Sequence, residues 1–128
     1  MSYTYNRTLK DVSIENADKR VRDALATAGF GILTEIDIEA TMKTKLGADM
    51  APYRILGACN PQMAFKALQA EPRVGTMLPC NVILRKVDSG TEISAIDPVA
   101  SMQAIENDQL HSVAKEVRDR MRAAIDAV

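Results

Sequence analysis

The chain has no tryptophan, only two phenylalanines and three tyrosines, and a single histidine. So thin an aromatic supply leaves little from which to build a platform for stacked bases. Neither charge is in excess, with 16 lysines and arginines against 17 aspartates and glutamates. Nucleic-acid binders draw much of their affinity from neutralising phosphates and usually carry a basic surplus, so no nucleic-acid partner is expected. No apolar run approaches the roughly 20 residues of a membrane span, which argues against a membrane partner. Met1-Ser2-Tyr3-Thr4-Tyr5-Asn6-Arg7 lacks a basic segment followed by an apolar run and does not read as a signal peptide. There are only two cysteines, Cys59 and Cys80. Without a leader they read as free thiols in a reducing cytoplasm rather than as a secreted disulfide scaffold.

Chemistry is limited by the same shortages. His111 is the only imidazole, so neither a Ser-His-Asp nor a Cys-His set can be assembled. Zinc asks for about four Cys, His or carboxylate ligands, usually in closely spaced pairs. Two isolated cysteines, Asp97 and a distant His111 do not meet that need, so no metal and no cofactor are expected. Glycine-rich phosphate loops of the common types are missing as well.

What is present is ordinary globular material. With 128 residues, 47% of them apolar and 26% charged, the chain can bury a core without staples and reads as a single domain over 1–128. Tyr3 to Leu9 alternates as a first strand. Ser13 then offers an N-cap, and Ile14, Ala17, Val21, Leu25 and Ala28 follow at helical spacing until Gly29 stops the helix. Phe30 to Ile38 reads as a strand with Phe30, Ile32, Thr34, Ile36 and Ile38 on one face. A short helix over 39–46 closes at Gly47, and Tyr53 to Cys59 makes a third strand. Asn60-Pro61 is a cap followed by a proline where its missing N–H costs nothing, and it opens a helix that lasts until Glu71-Pro72. Met77 to Val87 and Thr91 to Ile96 form a hairpin about Asp88-Ser89-Gly90. Asp97-Pro98 repeats the cap-plus-proline device for a helix to about Ile105, and a last helix, capped by Asn107 or Asp108, carries Leu110, Val113, Val117, Met121, Ala124 and Val128.

Runs of strands followed by a helix favour an α+β fold with a mostly antiparallel sheet of about five strands and helices packed on one face. If the four central strands form a meander, Cys59-Asn60, Pro79-Cys80-Asn81 and Asp97-Pro98 meet at one end of the sheet, joined there by Gly29-Phe30-Gly31. The blocks Phe30 to Asp37, Pro52 to Pro61, Leu78-Pro79-Cys80-Asn81-Val82 and Ala95-Ile96-Asp97-Pro98 resemble the signatures of the domain-of-unknown-function family 302. The resemblance implies a β-α-β4-α order similar to the TATA-binding-protein fold, and it implies no activity.

Cys59, Asn60, Cys80, Asn81 and Asp97 are the candidate ligand or redox residues. A redox or nucleophilic thiol needs its thiolate held by a cation or a helix N-terminus, whereas a buried cysteine at a strand end packs as a small hydrophobe. Asn60 and Asp97 are accounted for as caps, and Asn81 inside a strand is less easily explained that way. Glu35, Asp37 and Arg54 read as a solvated cross-strand salt-bridge set. The leading expectation is a small-ligand or partner-binding domain that pairs as a homodimer through Leu33, Leu56 and Leu78. The alternative is a thiol-dependent redox protein using Cys59 and Cys80.

Overall fold

The computed structural model describes residues 2–128. Five strands form one antiparallel sheet: β1 (Thr4–Lys10), β2 (Gly31–Asp37), β3 (Tyr53–Cys59), β4 (Cys80–Val87) and β5 (Gly90–Ile96). Their spatial order is β1-β5-β4-β3-β2, so strands two to five are the expected meander and β1 returns to pair with β5. The helices are α1 (Ile14–Thr27), α2 (Ile38–Leu46), α3 (Pro61–Ala70), α4 (Pro98–Ser101) and α5 (Asp108–Asp126), with a 3-10 helix over Pro72–Met77.

One face of the sheet is covered by α1 and α5, and α2 packs beside β3. Leu9, Leu56, Val82, Leu84, Ile93 and Ala95 point from the strands into a core completed by Ala17, Val21 and Leu25 of α1 and by Val117, Met121 and Ile125 of α5. Burying each large side chain removes apolar surface worth roughly 1.5–3 kcal/mol from water, which is what pins the two amphipathic helices to the sheet. A second cluster, Ala67, Val74, Met102, Leu110 and Ala114, ties α3, the 3-10 helix and the α4 region to the first half of α5.

The caps are where local chemistry demands them. Ser13 accepts from Asn16 N, Asp37 from Ala40 N, Asn60 from Met63 N and Asn107 from Leu110 N, each satisfying an N–H that a first turn leaves free. Four expectations need correction. The strand read from Met77 begins only at Cys80, because Met77 closes the 3-10 helix and Leu78 and Pro79 lie between the two elements. The helix after Asp97 is a single turn ending at Ser101, not a helix to Ile105. A bulge between Ile32 and Thr34 inserts Leu33 and reverses the parity of β2. Ile32 therefore packs on the core, while Ile36 pairs with Ile55 on the face opposite α1 and α5. Finally, Arg54 is not a cross-strand partner of the β2 carboxylates, although it stands opposite Asp37. It reaches Asp18 and Glu15 of α1, Arg22 of α1 takes Glu35, and Asp37 is occupied as the α2 cap.

Candidate functional site

An apolar cleft of about 30 Å³ opens at the end of the sheet where β3 finishes and β4 begins. Cys59, Asn60 and Cys80 line it, with Phe30 from the link just before β2. Met63 and Ala67 of α3, Met102 beyond α4, and Val113 and Val117 of α5 supply its helical walls. The antiparallel register brings the strand ends together, since Gly31 pairs with Cys59 and Ala58 with Cys80.

Three of the five residues singled out from the sequence therefore share one wall, and two do not. Asn81 stands opposite Gly57 and is exposed on the sheet face opposite α1 and α5, outside the cleft. Asp97 is 7% exposed and committed to structure: its Oδ1 accepts from Val99 N and Ala100 N, and its Oδ2 accepts from Arg122. Pro98, the residue it helps to seat, does line the cleft. Met63, Val113 and Val117 were legible only as core positions at helical spacing, which does not separate a cleft wall from a filled core, and Met102 was not singled out at all.

Asn60 serves as the cap of α3. Its Oδ1 accepts from Met63 N at 3.2 Å, which fixes which end of the amide is oxygen. Only 7% of the residue is exposed.

The thiols are poorly placed for redox or nucleophilic work. Burial pushes Cys80 up to about 11, with a smaller push from neighbouring Cys59, and burial also raises Cys59. No cation offsets either shift, although the start of α3 lies next to Cys59. At neutral pH both sulfurs carry their protons, which removes the species that attacks disulfides and electrophiles. The thiol-redox alternative is thus unsupported. Among the described residues, no three or more His, Cys, Asp and Glu side chains gather as they would to hold a metal ion. Among the same residues, no helix is long and apolar enough to cross a membrane.

A family model described as Domain of unknown function DUF302 matches residues 5–128. The chain belongs to this family. The crystal structure of an uncharacterized conserved DUF302 protein from Bacillus stearothermophilus is similar to it, with a TM-score of 0.92 and 25% identity over 99% of this chain and 98% of that one. No curated protein matches the chain. The DUF302 assignment thus fixes the fold of the cleft and leaves its chemistry to be read from the side chains that line it.

Proposed function

We propose that this DUF302 chain is a single binding domain whose cleft takes the apolar end of a small molecule. The observation that carries the reading is the lining itself: side chains from β3, β4, α3 and α5 converge on one space, almost all of them apolar, with Asn60 as the polar exception. Small-molecule sites have this composition, an apolar body with a few placed polar groups. At about 30 Å³ the space takes roughly two water-sized groups, so an ethyl-sized end fits as it stands. Met63 and Met102 are the pliable walls, because an unbranched thioether changes rotamer cheaply.

The test is a titration with 1-butanol followed by amide chemical shifts. Shifts at Phe30, Met63 and Val117 are expected, and Ala64→Leu, which fills the cleft from a half-buried helical position, abolishes them. Unchanged shifts in the Ala64→Leu protein would sink the reading.

The homodimer belongs to the same proposal, on altered grounds. Leu56 is fully buried and Leu78 half-buried in the second cluster, so of the three leucines only Leu33, 66% exposed, is free for a partner. The row Ile36–Ile55–Ile83 on the sheet face opposite α1 and α5 supports pairing of two copies instead. Sedimentation should then give a dimer that Ile36→Lys converts to monomer; a monomer at high concentration disposes of the idea. The free thiols favour a reducing cytoplasm as its setting. We further propose that the β-α-β4-α order is similar to the TATA-binding-protein fold, a likeness that carries no DNA-binding role, since folds host unrelated functions.

A further inference from the structure

We infer that the ligand of the cleft is a short-chain carboxylate, held by its charged end over Gly29 and by its alkyl end between Met63 and Met102. The inference rests on the cleft reading and adds the polar half of the molecule. Gly29 has φ +89° and no side chain, and it immediately precedes Phe30, a wall residue. A Cβ built on Gly29 would lie 3.2 Å from Asn60 Nδ2 and 4.0 Å from Arg120 Nη1. An amide donor and a guanidinium donor therefore converge on a bare stretch of backbone beside the cleft.

Neither donor is spent. Asn60 uses its Oδ1 as the α3 cap, and its Nδ2 donates to no acceptor among the described residues. Asn60 is largely buried, yet its Nδ2 is not sealed off from solvent, so this donor can be reached by a ligand entering from outside. Arg120 gives its Nη2 to Glu116 at 3.0 Å, while Nη1, the atom turned toward Gly29, has no acceptor among the described residues. Arg120 also continues the helical face of Val113 and Val117, which places the guanidinium one turn beyond the apolar wall. A planar carboxylate over Gly29 meets both donors, and its short chain points along Phe30 into the cleft. Charge-assisted bonds of this kind are about twice as strong as neutral ones, which favours an anion over an alcohol.

Sodium butyrate and 1-butanol, titrated in parallel and read by amide shifts at Gly29, Phe30 and Val117, separate the two layers of the argument. Butyrate is expected to bind about tenfold more tightly than butanol. Asn60→Asp keeps the capping oxygen but replaces the donor by a negative acceptor, so it should abolish the butyrate preference. Arg120→Gln, a change at a half-exposed side chain that leaves folding intact, should cut butyrate binding severalfold and spare butanol. Equal affinities for the two probes, or a preference that survives both substitutions, would overturn the carboxylate inference while the cleft reading stands. If neither probe moves these amides, the cleft reading falls, and this inference with it.

Discussion

Gly90→Ala is expected to destabilise the fold by about 4 kcal/mol, lowering the melting temperature by about 15 °C for a chain of this size. Gly90 has φ +153°, a region that L side chains rarely enter. A Cβ there would collide with the carbonyl oxygen of Leu9 and come within 2.9 Å of Asp11 N. Neither group can retreat. Leu9 pairs with Thr91 in the β1–β5 ladder, Asp11 N donates to Ser89 O at 2.8 Å, and the Thr91 hydroxyl donates to Val12 O at 2.8 Å. The β1–α1 link is thus stitched to the β4–β5 hairpin on both sides of the glycine. Gly47 is the control: its φ is +64°, but nothing lies within 4 Å of a Cβ added to it. Gly47→Ala should therefore cost only the left-handed backbone penalty, about 1 kcal/mol. Thermal melts that place the two variants together would show that backbone strain alone, and not the Leu9 contact, sets the effect.

The parts of this fold that sequence reveals are those decided within a few residues. Ser13, Asn60 and Asp97 declare helix starts because a side-chain oxygen two or three positions ahead of a free N–H is a local arrangement, and Gly47 declares an end for the same kind of reason. The meander follows from strands joined in order and is what the structure contains. The Leu33 bulge is different, because it exists only in relation to β3, and one inserted residue turns every later side chain of β2 to the other face. Arg54 fails for a similar reason. Its register partner is Asp37, yet α1 lies across this end of the sheet and presents a buried carboxylate, Asp18, that is the better acceptor.

The site was legible as a place and not as a chemistry. Cys59, Asn60 and Cys80 come together because three strand ends do, and strand order was readable. Gly29 and Arg120 meet Asn60 through the docking of α5 against the sheet, a contact between distant parts of the chain that leaves no periodic trace. The two methionines of the cleft are indistinguishable from core methionines until the helices are in place.

Asp97→Ala is expected to cost about 2–3 kcal/mol, or about 10 °C in melting temperature, and to weaken ligand binding without touching the ligand. The carboxylate does two things at once. It caps α4 through Val99 N at 2.9 Å and Ala100 N at 3.3 Å, a role worth about 1 kcal/mol when lost. It also holds Arg122, whose Nη2 lies 3.2 Å from Oδ2 and whose guanidinium sits 5.3 Å from the centroid of Tyr5. The Nε of Arg122 is already buried without a partner, so removing the carboxylate leaves that group worse satisfied. Breaking a fully buried pair costs about 3–5 kcal/mol, but the Arg122 side chain is 43% exposed and recovers part of the loss from water. Asp97→Asn separates the two roles, because an amide oxygen still caps while the charge is gone, and about 1 kcal/mol is expected. Since α4 is one turn long and seats Pro98 and Met102 at the cleft, losing its cap loosens that wall. The Ala variant should therefore bind 1-butanol less well than the Asn variant, and equal melting temperatures for the two would refute the capping argument.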